Sequence, residues 1–344
     1  MFQSAFRRGF RWGLYALALS LAWGVGLGPG SLPAYAEKID FMMDWTPQGR
    51  YVGFYTAVKK GYYRESGLEV TVTRGRGSMN TVIAVDQKKV PFGLAGVGTI
   101  ILSQAKGAKL KMVGMILDRN VEGFASLGGS GISTVKDMAG RTVGSAVWDA
   151  ARTLLPVLAK LNGVEPASIK QIAIDGDVYV TSLLQSRVDL VPAWEDSLFA
   201  VLQVVGKRQG KKVNWIAYRD NGLDVYNSAI FASSQTTEEK GDFVRRFLRG
   251  TYKGVAYALE NPKEGVDILM GFHRELDREI VELQWSKTAV ALTTEIAKEK
   301  GLGWITDAKM TKTRDTLLQA YNIKKELPLK DLYTNQFLSE IKAR

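Results

Sequence analysis

From Glu37 onward, short apolar runs alternate with longer stretches in which apolar side chains recur every three or four residues. Ile39, Phe41, Met42 and Met43 predict a buried strand that stops at Asp44-Trp45. Phe54, Val58 and Tyr62 then fall on one face of a helix over 51–60, with Gly61 suited to its end. Leu68, Val70 and Val72 alternate with Glu69, Thr71 and Thr73, the period of a strand covered on one face. Ser78 stands where it can cap a helix over 78–87, 91–95 reads as a strand, Thr99 caps a helix to 105, and 110–117 returns as a strand. Such alternation is the grammar of a parallel α/β sheet, because each strand needs a crossover helix to reach the next.

The grammar restarts after Gly128-Gly129-Ser130-Gly131, with strands over 142–144, 172–174, 188–191 and 213–217 and helices over 150–161 and 180–185. A strand over 227–232 recrosses to the first sheet. Helices follow over 241–259, 263–272, 278–299 and 307–318, the first two separated by Asn261-Pro262. The pattern predicts an α/β protein of two lobes, one from 37–125 plus 228–344 and the other from 126–227. Two chain crossings make a hinge, and the ligand cleft lies between the lobes, outside the carboxyl ends of the strands.

The N-terminus changes the compartment. Arg7, Arg8 and Arg11 precede an uncharged stretch over 12–36 that is strongly apolar over 14–25, the order of a signal peptide. Pro29, Gly30 and Pro33 break the stretch, and Ala34-Tyr35-Ala36 supplies small residues for cleavage after Ala36 and release into the periplasm. An apolar span of roughly 20 residues also suits a membrane anchor, but the tripeptide just before Glu37 favours cleavage. Arg7-Arg8-Gly9-Phe10 resembles a twin-arginine export signal as well. The chain has no cysteine, which excludes disulfides, thiolate metal sites, a cysteine nucleophile and a lipidated N-terminal cysteine. The net charge of +11 is scattered, three of its positive charges lying in the leader, and no helix concentrates Lys and Arg with aromatics, so nucleic-acid binding is not expected. His273, the only histidine, sits in a polar turn and reads as a surface residue. No Ser-His-Asp constellation, metal spacing or P-loop occurs, so no catalytic residue, metal or cofactor is assigned, and the scattered carboxylates read as solvated.

The segment 44–55, Asp-Trp-Thr-Pro-Gln-Gly-Arg-Tyr-Val-Gly-Phe-Tyr, followed by Lys60-Gly61-Tyr62-Tyr63 and Gly67-Leu68-Glu69-Val70, resembles the thiamine-pyrimidine-precursor branch of the ABC-transporter substrate-binding proteins. Further matches are Phe92-Gly93-Leu94-Ala95, Lys136 to Arg141, Leu183 to Asp189, Phe247-Leu248-Arg249-Gly250 and Asn261-Pro262-Lys263-Glu264, covering nearly the whole mature chain. The resemblance implies a fold like that of type II periplasmic binding proteins. It also implies an exported protein that hands a small molecule to an ABC permease powered by a separate ATPase, touching the membrane only through that permease. Related members bind nitrate, sulfonates or riboflavin. Fungal members that make the pyrimidine from their own histidine carry it where this chain has Tyr51, and use a cysteine-rich segment that is missing here.

Candidate ligand contacts follow from position. Asp44 and Trp45 end the first strand, offering a carboxylate for ring nitrogens and an indole for stacking. Tyr51 and Tyr55 lie one turn apart in the next helix. Ser78 and Met79 open a helix whose free amides can receive an oxygen, and Gly96 and Val97 lie in a similar turn. In the second lobe, Trp148 or Trp194 would form the opposite aromatic wall, with Glu195, Asp175, Asp177 and Tyr179 nearby and Tyr226 by the hinge. These residues suit a pyrimidine-like or other flat nitrogen-bearing solute. A sulfonate, nitrate or aromatic carboxylate is the alternative, for which Arg50, Arg74 and Arg76 are the cations. An enzyme of pyrimidine synthesis and a receptor-coupled sensor are the remaining classes.

Overall fold

The computed structural model describes residues 36–338, so the leader predicted ahead of Glu37 falls outside the described residues. The strands are β1 (Glu37–Met42), β2 (Leu68–Thr73), β3 (Phe92–Gly96), β4 (Leu110–Leu117), β5 (Gly123–Leu127), β6 (Thr142–Ser145), β7 (Lys170–Ala173), β8 (Leu190–Pro192), β9 (Val213–Ala217) and β10 (Ser228–Ser233). The helices that matter for the site are α1 (Val52–Lys59), α2 (Ser78–Asp86), α3 (Val97–Ala105), α4 (Ala150–Leu161), α5 (Tyr179–Leu184) and α6 (Leu198–Arg208). The chain then closes with α7 (Ser234–Glu239), α8 (Gly241–Glu260), α9 (Pro262–Phe272), α10 (Arg278–Leu292), α11 (Glu295–Lys300), α12 (Asp307–Ala320) and α13 (Leu329–Leu332).

Two five-stranded sheets result, ordered β2-β1-β3-β10-β4 and β7-β6-β8-β5-β9. β1 pairs in parallel with β2 and β3, and β10 returns antiparallel between β3 and β4. In the second sheet β6 is parallel to β7 and β8, whereas β5 is antiparallel to β8 and β9. The parallel pairs, β1 with β2 and β3 and β6 with β7 and β8, are the ones that need the crossover helices that the periodicity announces.

The first lobe is held by aromatic packing. Phe247 of α8 lies 5.0 Å from Phe41 of β1 and stacks at 4.0 Å on Phe92 of β3, all three fully buried. Each such ring removed from water stabilises the fold by about 1.5–3 kcal/mol. α8 approaches α1 closely only because Gly254 has no side chain: a Cβ there would stand 2.5 Å from both the Ala57 Cβ and the Gly53 carbonyl oxygen.

The crossings run over 118–122 and 218–227. Asn227 N–H donates to the Leu117 carbonyl at 3.1 Å, the Tyr218 N–H to the Glu122 carbonyl at 2.9 Å, and the Asn120 amide to the Leu223 carbonyl at 2.8 Å. Both crossings are thereby bound to each other at one level.

Several expectations need correction. β5 lies wholly in the second sheet, so a boundary at 125/126 cuts a strand; its Gly-Phe-Ala-Ser-Leu sequence is too short and small to show a period, and tertiary pairing with β8 and β9 fixes it. α6 was not anticipated. The helix over 278–299 breaks at Thr293, and Thr294 restarts it by accepting from the Ala297 N–H at 3.3 Å. Neither Ser78 nor Thr99 caps a helix: Gly77 and Gly96 hold the N-cap positions, and α3 begins at Val97.

Candidate functional site

The loop after β1 turns sharply into the cleft. The Gly77 N–H donates to the Asp44 carbonyl at 2.8 Å and the Gly75 N–H to the Trp45 carbonyl at 3.2 Å, which fixes both side chains at the carboxyl end of the strand. Between the lobes is an inner chamber with a volume of about 40 Å³, much narrower than the roughly 300–1,000 Å³ of open small-molecule sites. Asp44, Trp45, Gln48, Arg50, Gly77 and Ser78 line it from the first lobe, and Asp149, Ala150, Tyr179, Pro192, Trp194, Ser197 and Leu198 from the second.

Buried charge dominates this chamber. Arg50 is its only basic lining residue; it stands 3.6 Å from Asp44 Oδ2 and 3.6 Å from Asp196 Oδ2, with its guanidinium 4.4 Å over the Trp194 ring. Burial works against the Arg50 charge, but Asp196 and Asp44 outweigh it and hold the group above the ordinary arginine range. Asp44 Oδ1 accepts from the Tyr51 hydroxyl at 2.6 Å. Asp149 caps α4, with Oδ1 accepting from the Ala151 N–H at 2.9 Å and Oδ2 from the Tyr179 hydroxyl at 3.0 Å; burial pushes its carboxyl up to about 6 against those bonds. Glu122 lies behind the chamber, 1% exposed. Its Oε1 accepts from the Asn227 amide at 3.3 Å, while Oε2 finds no partner. Burial first, and the Asp149 charge second, push Glu122 well above the carboxylate range. Burial also raises Asp196, against Arg50 and a 3.2 Å bond from Thr288. Asp44 and Asp196 thus share the Arg50 guanidinium, Asp149 has Arg152 beside it, and Glu122 is pushed towards its neutral form, so carboxyls still outnumber cations around the chamber. A cation or a set of N–H donors is the chemistry that offsets such an excess.

Flat apolar surface completes the chamber. Trp45 stacks with Tyr179 across the lobes at 6.1 Å and 29°. The Ser197 hydroxyl donates to Gln48 Oε1, and Gln284 of α10 accepts from the Gly49 N–H at 2.7 Å while donating to the Ser197 carbonyl at 3.2 Å, so the lobes are stitched shut beside the pocket. A wider outer chamber of about 460 Å³ adjoins the inner one at Trp45, bounded by Arg74, Gly75 and Arg76 on one lobe and by 146–148 and 173–177 on the other.

Of the residues singled out from sequence, Asp44, Trp45, Ser78 and Trp194 meet in the inner chamber. Ser78 Oγ accepts from the Gly96 N–H at 2.9 Å instead of capping α2. Tyr51 is fully buried behind Asp44, linked to the chamber by its bond to that carboxylate and by the Gln48 amide, which donates to its hydroxyl at 3.3 Å. Trp148 is 45% exposed and, with Asp175, lines the outer chamber; Tyr179 stands where a second-lobe wall was expected of it. Val97 is core, and its N–H donates to the Asn227 carbonyl at 2.7 Å. Met79 packs at the edge of the core, its N–H 3.4 Å from the Trp148 carbonyl. Three candidates lie away from the cleft. Tyr55 meets His273, its hydroxyl 2.8 Å from Nε2, so that histidine is not a bare surface residue. Glu195 pairs with Arg219 at 2.8 Å and Lys287 at 3.7 Å, because consecutive residues after β8 face opposite ways. Tyr226 is buried against Thr306 at 3.1 Å.

Glu122, Asp196, Gln48 and Ser197 were missed, and three carboxyls expected in solvent, Glu122, Asp149 and Asp196, are buried. Asp149 carried a readable signal, since an Asp just before an apolar-periodic run marks an N-cap. Nothing local marks Glu122 or Asp196.

A family model described as NMT1/THI5 like matches residues 48–265. A 4-amino-5-hydroxymethyl-2-methylpyrimidine phosphate synthase of Legionella pneumophila is 21% identical, over 90% of this chain and 95% of its own. A formylaminopyrimidine-binding protein of Halalkalibacterium halodurans is 22% identical over 68% of this chain and 70% of its own. Among solved structures, the ligand-binding component of an ABC-type import system from Staphylococcus aureus superposes with a TM-score of 0.67 at 13% identity, covering 90% of this chain and all of that one. That likeness shows the fold: two α/β lobes of the periplasmic-binding-protein kind.

Proposed function

Because the chain belongs to the NMT1/THI5-like family, we propose that it is the solute-binding component of an ABC importer, exported to the periplasm behind a leader cleaved after Ala36. Its cargo is a small, flat, nitrogen-bearing ring of the aminopyrimidine kind, which it delivers to a membrane permease driven by a separate ATPase. The observation that carries the cargo assignment is the acidity of the inner chamber, which Asp44 and Asp149 line while its arginine is already paired with Asp44 and Asp196. Amino groups and ring nitrogens satisfy such carboxyls, and the Trp45 and Tyr179 faces take the ring. A sulfonate or nitrate would have to win Arg50 from two carboxylates while adding a negative charge. The lobes would close about the crossings over 118–122 and 218–227 to retain the solute.

The relatives named as synthases raise an enzymatic alternative. Against it, Tyr51 stands where the fungal histidine would be, its hydroxyl is spent on Asp44, and the chain has no cysteine. Thermal unfolding of the protein from Glu37 onward, with 4-amino-5-hydroxymethyl-2-methylpyrimidine, an alkanesulfonate or nitrate, tests the cargo. A solute present at 100 times its Kd stabilises the folded state by about 2.7 kcal/mol. A saturable upward shift with the pyrimidine, lost in Trp45→Ala, is the expected result. A shift with the anions alone would overturn the pyrimidine assignment and leave transport standing. Pyrimidine formed by the purified protein would revive the enzyme.

A further inference from the structure

Trp45 is a wall of both chambers, and one glycine decides whether it can separate them. A Cβ built on Gly176, in the second lobe, would stand 2.3 Å from Trp45 Cζ2 and 2.6 Å from Cη2. Gly176 has no left-handed backbone to explain its presence: it opens an ordinary 3-10 turn over Gly176–Val178. What its missing side chain provides is a seat for the edge of the Trp45 ring. Its face is stacked on Tyr179, its carbonyl accepts from the Gly75 N–H, and Tyr179 is itself held by Asp149 and by the Ala146 N–H at 2.5 Å.

We propose that Gly176 determines solute size: by seating Trp45 it lets the indole shut the inner chamber, so that a single ring is retained and a solute with a tail leading into the outer chamber is rejected. The inference rests on the inner chamber being the solute site. A reciprocal contact completes closure from the other lobe, where a Cβ on Gly77 would stand 2.4 Å from the Trp148 carbonyl oxygen. Behind the seated indole the chamber measures about 40 Å³, room for one small ring at most, and any substituent crossing the plane of Trp45 must lift it off Gly176 and leave the lobes ajar.

The test compares 4-amino-5-hydroxymethyl-2-methylpyrimidine with thiamine, which carries a similar pyrimidine head on a second ring, by stopped-flow and calorimetry. Wild type should prefer the single ring by at least about tenfold, and Gly176→Ala should speed release of that ring by about tenfold with little change in association, since closure is read in the off-rate. The preference over thiamine should then collapse. Trp45→Phe added to Gly176→Ala removes the clashing half of the ring and should restore slow release, which a general loss of stability would not do. Unchanged release and preference in Gly176→Ala overturn the proposal while leaving the cargo assignment intact. Should Gly176→Ala fail to fold, Trp45→Phe alone must speed release by vacating the seat, and unchanged release overturns the proposal. If wild type binds neither probe, the cargo assignment fails, and amide exchange over 174–179 in the ligand-free protein decides the seat. Faster exchange in Gly176→Ala supports it, and equal exchange overturns it.

Discussion

Replacing Asp149 by asparagine removes a buried titratable group while keeping the atoms of a helix cap. Asparagine caps as well as aspartate, so Oδ1 still accepts from the Ala151 N–H. In the unfolded chain the carboxyl titrates near 3.8 and in the folded one at about 6, because burial penalises its charge. The folded state therefore binds more proton between those values, and the stability that Asp149 lends is complete below about pH 4 and lost as pH rises through 6. About two pH units at 1.36 kcal/mol each amount to roughly 3 kcal/mol that wild type loses and Asp149→Asn does not. One cost opposes this. The Tyr179 hydroxyl, 3.0 Å from Oδ2, meets an amide NH2 in its place and keeps its own proton without that acceptor, about 1 kcal/mol. Urea unfolding should then find Asp149→Asn about 1 kcal/mol less stable than wild type at pH 4 and about 2 kcal/mol more stable at pH 8. A difference that stays constant within about 1 kcal/mol across that range would refute the assignment of a carboxyl whose burial outweighs its hydrogen bonds.

Glu122→Gln should act in the same direction, since burial and Asp149 also raise that group: equal to wild type near pH 4, more stable at pH 8, with the gain shrinking in an Asp149→Asn background because the Asp149 charge no longer raises Glu122. Independent, fully additive gains would show that the two do not interact. Arg50→Met leaves Asp44 and Asp196 buried without their cation and should cost about 3–5 kcal/mol in urea unfolding at pH 7; a loss under about 1 kcal/mol would mean that the pairs are not formed. Tyr55→Phe removes the hydroxyl from His273 and should cost about 0.5–1.5 kcal/mol with no change in pyrimidine affinity. Weakened binding there would return Tyr55 to the cleft.

Periodicity made the scaffold legible wherever one face of an element is covered. β2 alternates strictly from Leu68 to Thr73, and α1 carries Phe54 and Val58 one turn apart, so both could be read from the chain. β5 and α6 could not, for opposite reasons. Gly123 to Leu127 has almost no side-chain contrast to form a period, whereas Leu198-Phe199-Ala200-Val201-Leu202 is apolar on every side, where helix and strand look alike. In the site, Asp44 and Trp45 were legible because a strand end in an α/β sheet points at the crevice. Trp194 was legible for the same reason, but Glu195 was not, since a loop residue's direction is set by its partners, here Arg219 and Lys287. Charges were least legible. Glu122 and Asp196 come from segments far apart in the chain, and only the closed lobes bring them towards Arg50, so their burial has no local signature.

That burial carries a functional argument of its own. A closed cleft in which buried carboxyls outnumber the cations beside them is electrostatically unfavourable, and hydrophobic replacements at such positions commonly stabilise a protein. The groups best removed for stability are then those a solute with N–H donors must meet. Asp149→Asn should consequently raise stability at pH 8 and weaken aminopyrimidine binding together. If the carboxyls were only scaffold, the variant would gain stability with affinity unchanged; if they were held for an anion, affinity for a sulfonate would rise as the negative charge left. Opposite signs for folding and binding in one substitution distinguish a site built for a cationic or N–H-rich ring from a buried cluster that has no ligand to answer to.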